Sequence, residues 1–196
     1  MKTLVIHPDD RSTDFLRPIY ANIKRKTVVT KDVSRDKLLS AIRSHDTIIM
    51  LGHGSSSGLF NVSNIGKGML VVGESLVEEL RGKQLIAIWC NADKFIERHH
   101  LPALYSGMFI SEVSEARYCG VQGDQALVNE SNNVFATLLG NMLGEVPTDL
   151  KTVHSLVGES YEELGESNAV AKYNSDRFYY DEGTTVRHDH DFYFTW

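Results

Sequence analysis

The chain has 196 residues, 42% of them hydrophobic and 23% charged, and carries a formal net charge of −6. This is the balance of a folded globular protein rather than a disordered one, and the acidic excess, with no basic stretch beyond Lys24-Arg25-Lys26, argues against nucleic acid as a partner. No uncharged apolar run reaches the ~18 residues of a membrane-spanning helix, and the N-terminus turns acidic at Asp9-Asp10 too soon for a secretion signal, so no membrane association is expected. Two cysteines, Cys90 and Cys119, do not make a disulfide framework and suit a reducing compartment, which makes the cytoplasm the expected address. A single domain is expected over residues 1–196, with an irregular C-terminal cap over about 165–196.

Taken in chain order, short β-branched runs alternate with amphipathic segments, the pattern of a parallel sheet built from βαβ units. Residues 3–6 read as a first strand, ended by His7-Pro8-Asp9-Asp10. Residues 12–24 read as a helix that Pro18 must enter in its first turn or kink. Residues 27–30 form a short second strand, and 32–44 a helix with Val33, Leu38, Leu39 and Ile42 on one face and Ser34 as N-cap. Thr47-Ile48-Ile49-Met50-Leu51 is a continuous apolar run, as a strand buried on both faces requires. Residues 59–72 look like a small hairpin turning at 64–68, followed by a helix over 74–80. A second buried strand, 84–89, runs into Cys90-Asn91-Ala92-Asp93. Helices over 94–99, 129–143 and 149–164, and strands over 104–111, 178–180 and 192–194, complete the reading.

In open α/β sheets functional groups gather just beyond the carboxyl ends of the strands. Two buried-strand runs here end in chemically able residues, His53 and Cys90. If the strands are neighbours, imidazole and thiol emerge at one edge, where the imidazole can take the thiol proton and return one to a leaving amine. Gly54 leaves its backbone N–H unshielded, and with the Cys90 N–H it can donate to an oxyanion on a substrate carbonyl.

These two blocks, Thr47 to Gly54 and Leu85-Ile86-Ala87-Ile88-Trp89-Cys90, resemble the caspase-like (caspase–hemoglobinase, clan CD) cysteine peptidases, which include gingipains, clostripain, legumains, metacaspases and separases. The likeness covers residues 3–143 as an order of elements and the two blocks as motif. It implies a caspase-like three-layer α/β/α sandwich with a mostly parallel sheet, His53 and Cys90 as a catalytic dyad, the Gly54 and Cys90 amides as oxyanion hole, a peptide or protein substrate, and chemistry that needs no cofactor or metal. The chain departs from the pattern in three ways. His53 and Cys90 are 37 residues apart, against roughly 50 in caspases. Asn91 stands where a glycine follows the caspase cysteine, and Ile88 stands where several of these families place a polar pocket wall. Asp9, Asp10 or Asp14, after the first strand, could read a basic substrate residue, or could cap the first helix.

Other features have plainer readings. Cys119 is expected to fill core. Gly54-Ser55-Ser56-Ser57-Gly58 matches G-x-S-x-G and offers Ser56 as an esterase nucleophile, but no helix start follows it. His188 and His190 could face one side of a strand but make only two zinc ligands, so a solvated tail is expected. His99-His100 marks a helix end, Glu159, Glu162 and Glu163 an exposed helix face, and Tyr179, Tyr180, Phe192, Tyr193 and Trp196 a sheet edge or contact surface. Three functions remain open: a cysteine endopeptidase, a caspase-like binding or regulatory module without turnover, and a serine esterase using Ser56.

Overall fold

A computed structural model describes residues 1–61, 70–144 and 149–183. Strands β1 (Thr3–Ile6), β2 (Lys26–Val29), β3 (Thr47–Leu51), β7 (Gln84–Ile88), β8 (Ala103–Ser106) and β9 (Phe178–Asp181) form one sheet in the order β2-β1-β3-β7-β8-β9. The first five are parallel, and β9 runs antiparallel to β8 at the edge. A smaller antiparallel sheet, β4 (Gly54–Ser55), β5 (Gly58–Phe60) and β6 (Leu70–Gly73), is inserted between β3 and β7. The expected hairpin is therefore present, while its turn at 64–68 lies outside the described residues.

Successive side chains of a strand point to opposite faces, which divides the apolar runs between two cores. Leu4, Ile6, Ile48, Met50, Leu85, Ala87 and Trp89 face α2 (Arg35–Arg43), α3 (Val77–Leu80) and α4 (Ala92–Arg98). Val5, Ile49, Leu51, Ile86 and Ile88 face a 3-10 helix (Arg11–Leu16), α1 (Pro18–Ala21), α6 (Gln125–Gly144) and α7 (Leu150–Gly165). Helices thus cover both faces of a mostly parallel sheet, a three-layer α/β/α sandwich. β3 is buried along its whole length, which is why it reads as an unbroken hydrophobic run rather than an alternating one.

Local chemistry sets the helix starts. The Ser34 hydroxyl accepts from Lys37 N–H and begins α2, and the Asp149 carboxylate accepts from Thr152 N–H and begins α7. Pro18 splits the helix expected over 12–24: a 3-10 helix closes at Leu16, and the proline opens α1 at its first position, where its missing N–H removes no intrahelical bond. Two helices have no counterpart in the sequence reading, α5 (Val113–Tyr118) and α8 (Ala169–Ser175). Both are short and anchored by distant polar bonds. Buried Asn174 in α8 accepts from Ile110 N–H at 2.7 Å and donates to Ile110 C=O at 2.9 Å, which ties α8 to the loop after β8. Residues 165–183, expected as irregular cap, accordingly supply a helix and an edge strand. Among the described residues no helix is long and apolar enough to cross a membrane.

Candidate active site at the carboxyl edge of the sheet

β3 and β7 are adjacent and parallel, with Thr47 opposite Gln84 and Leu51 opposite Ile88, an offset of 37 positions. His53 and Cys90 are separated by the same 37 positions. They therefore leave neighbouring strands at one level of the carboxyl edge, and the ladder continues one step past the strands through Gly52 N–H to Ile88 C=O at 3.1 Å. At Gly52 the backbone turns out of the sheet with φ of 137°, a conformation that favours glycine. The turn delivers His53 to the edge, and its carbonyl is held by Phe60 N–H at 2.8 Å.

The same bond orients Gly54. Gly54 lies opposite Leu59 in the β4–β5 ladder, bracketed by the Phe60-to-His53 bond, so it belongs to a non-hydrogen-bonded pair and its N–H points away from β5. Packing also demands glycine here: a Cβ would sit 2.6 Å from both Trp89 Cγ and the Gly58 carbonyl oxygen. Trp89 is nearly fully buried and donates from Nε1 to Ser55 C=O at 3.0 Å, which fastens the small sheet to the end of β7.

Around Cys90 the neighbouring amides are committed, Asn91 N–H to Gly107 C=O and Ala92 N–H to Trp89 C=O, each at 3.2 Å. Among the described residues no acceptor meets the Cys90 N–H. Asn91, the residue before α4, has left-handed backbone with φ of 64°. The Cys90 thiol is half-buried and shares its proton between Phe109 C=O at 3.5 Å and Glu115 Oε1 at 3.9 Å. Burial, and next the Glu115 carboxylate, push its pKa up to about 12. In this arrangement Cys90 is a thiol. Glu115 is fixed by its other oxygen, which accepts from Ser111 N–H, Ser111 Oγ and Glu112 N–H as the N3 residue of a capping box on α5.

His53 is held from the other side. Its Nε2 lies 2.6 Å from Ser12 Oγ, and Ser12 Oγ and N–H lie 2.7 Å and 2.9 Å from Asp10 Oδ1. Those bonds from Ser12 keep the Asp10 carboxyl below its ordinary range. Asp10 is thus the N-cap of the 3-10 helix and also the anchor of the residue beside His53. His7, buried beneath this turn, lies 3.1 Å from both Tyr20 Oη and Thr13 Oγ1, and burial drives its pKa down to about 4.

The remaining site candidates have other surroundings. Asp9 and Asp14 both pair with Arg17 on the surface, at 3.0 Å and 2.7 Å. Ile88 is buried in the core beneath α6 and α7, so it lines no pocket at the edge. Ser56 lies in the turn of the β4–β5 hairpin, without the helix that a nucleophile elbow requires. Cys119 packs beside Ile110, Ala116, Val128 and Val170. His99 ends α4 against the Phe95 ring, and burial lowers its pKa. Glu159, Glu162 and Glu163 are exposed on α7, and Tyr179 and Tyr180 lie in edge strand β9. His188, His190, Phe192, Tyr193 and Trp196 lie outside the described residues. Among the described residues no group of three His, Cys, Asp or Glu side chains gathers as a metal site would require.

Ser12 and Glu115, whose side chains are hydrogen-bonded to His53 and Cys90, were missed from the sequence. Ser12 had a faint signal: an Asp-x-Ser step after a strand is a common turn. Glu115 had only its place three residues after Glu112, and nothing local to link it with Cys90. Compared with known proteins, the chain matches no family model, no curated protein and no solved structure.

Proposed function

We propose that the chain is a cysteine endopeptidase on a caspase-like α/β/α domain, with Cys90 as nucleophile and His53 as proton carrier. The observation that supports this reading is the equality of the His53–Cys90 spacing and the β3–β7 register offset, so that each residue follows the end of one of two adjacent parallel strands by two positions. Cys90 Sγ attacks the carbonyl carbon of a peptide bond. The Gly54 and Cys90 N–H groups, neither turned into a strand partner, receive the developing oxyanion, an interaction for which each donor typically contributes about 2.7–4 kcal/mol. The thiol proton passes through His53 to the departing amine, the C–N bond breaks, and a thioester remains. Water then attacks the thioester carbonyl, His53 takes its proton and returns it to sulfur, and the carboxylic acid leaves.

The contact between Cys90 and Glu115 favours a second reading, a binding module of the same fold without turnover, because a thiol held protonated by burial and a carboxylate is a poor nucleophile. A peptidyl acyloxymethyl ketone, followed by peptide mapping, separates the two. The endopeptidase is labelled at Cys90, keeps its labelling in Cys119→Ala and loses it in Cys90→Ala. Equal labelling of both variants, or absence of Cys90 labelling together with absence of cleavage across a diverse peptide library, overturns it.

A further inference from the structure

We infer that Ser12 and Asp10 are positioning residues that lock the tautomer of His53, so that Nε2 carries the proton and Nδ1 is the nitrogen that works on the reacting groups. The inference rests on the endopeptidase reading only for what Nδ1 works on; the tautomer follows from counting protons.

The Ser12 hydroxyl has one hydrogen, and it lies 2.7 Å from Asp10 Oδ1 and 2.6 Å from His53 Nε2. An ionised carboxylate can only accept, so the hydroxyl hydrogen goes to Asp10, with Ser12 N–H donating to the same oxygen at 2.9 Å. Ser12 Oγ is then an acceptor toward the ring, and His53 Nε2 must be its donor. In a neutral imidazole with Nε2–H the lone pair is on Nδ1. The order Nε2–H to Ser12 Oγ, Ser12 Oγ–H to Asp10 Oδ1 also stabilises the imidazolium that forms when Nδ1 takes a proton, because the charge is felt through the hydroxyl by the Asp10 carboxylate.

A second strand of bonds, in the same polarity, holds the turn that carries this pair. Thr13 Oγ1 donates to Asp10 C=O at 3.0 Å, which commits its only hydrogen, so His7 Nε2–H donates to Thr13 Oγ1 and Tyr20 O–H donates to His7 Nδ1. Asp10 is therefore gripped at its carbonyl from below while its carboxylate faces Ser12. Two histidines lie above and below one turn in the same tautomer. His7 spends both nitrogens on structure, whereas among the described residues only the Nε2 of His53 meets a partner, which leaves Nδ1 for chemistry.

The test reads the ring directly. In full-length protein labelled with 15N-histidine, long-range 1H–15N spectra give the tautomer of each imidazole without requiring turnover. Wild type is expected to show His53 with protonated Nε2 and a free Nδ1. Ser12→Ala is expected to shift His53 to a mixture of tautomers and to lower kcat on a fluorogenic peptide by about tenfold to a hundredfold with KM little changed. Ser12→Thr, which keeps the hydroxyl, is expected to restore both. A wild-type His53 protonated on Nδ1, or a Ser12→Ala protein with unchanged ring spectrum and unchanged kcat, overturns the inference while leaving the endopeptidase reading intact. The expected spectra in a protein that cleaves no peptide support the positioning pair and overturn the endopeptidase reading instead.

Discussion

Replacing Glu115 with glutamine should turn Cys90 from a silent thiol into a more reactive one. One Glu115 oxygen accepts from Ser111 N–H, Ser111 Oγ and Glu112 N–H, and the other lies 3.9 Å from Cys90 Sγ. A glutamine in this frame must put its carbonyl oxygen on the three donors, which turns its NH2 toward sulfur. The substitution removes a negative charge and supplies a donor to the thiolate. Two unit charges 3.9 Å apart repel by about 1 kcal/mol in a water-like medium and about 4 kcal/mol at an effective dielectric constant of ~20. At ~1.4 kcal/mol per unit, the Cys90 pKa should fall by about one to three units. It starts from about 12, and because burial is the larger cause of its elevation, it stays above that of a free cysteine unless the upper limit is reached. The thiolate fraction at fixed pH rises tenfold per unit, but intrinsic nucleophilicity falls as the pKa falls, which leaves a gain of about threefold to fourfold per unit. Alkylation of Cys90 by iodoacetamide, followed by intact mass in a Cys119→Ala background, should accelerate by about threefold to fiftyfold at pH ~8. An unchanged rate and unchanged pH midpoint would refute both the contact and the electrostatic account of the thiol.

Two further outcomes follow from the same site. His7 has its pKa lowered to about 4 from an ordinary 6.5, so on acidification the unfolded chain takes up a proton that the folded chain refuses. Stability present above the unfolded value is lost as pH falls through that window, by about 3 kcal/mol at its lower end. In urea titrations near pH 7 and pH 4, His7→Phe should show a pH dependence smaller by about that amount; identical dependences would contradict a neutral buried His7. Gly54→Ala pushes a methyl group into the Trp89 indole and the Gly58 carbonyl. It should cost about 1–3 kcal/mol and lower the melting temperature, and an unaltered melt would show that the small sheet is not fastened as described.

The sequence by itself determined the sheet and the two strand ends that matter. Residues 47–51 and 84–88 are legible because a strand buried on both faces needs an unbroken apolar run, and short apolar runs between amphipathic helices admit few arrangements other than a parallel sheet. The caps at Ser34 and Asp149 are local events and were readable as such or lay at the expected boundary. His53 and Cys90 were found because each follows its strand directly. Tertiary structure decided everything that depends on residues meeting through space. The 37-residue spacing gained its meaning only when the β3–β7 register proved to have the same offset. Ile88, two residues before Cys90, is buried among the side chains of α6 and α7, which its place in the chain did not show. Asp10, a candidate for reading substrate, is committed to Ser12, and the carboxylate that faces Cys90 is Glu115, 25 positions along the chain on a helix with no periodic signal. Hydrophobic period is written along a chain one residue after another, whereas a hydrogen bond between a histidine and a serine 41 positions away depends on how two loops close over one sheet edge.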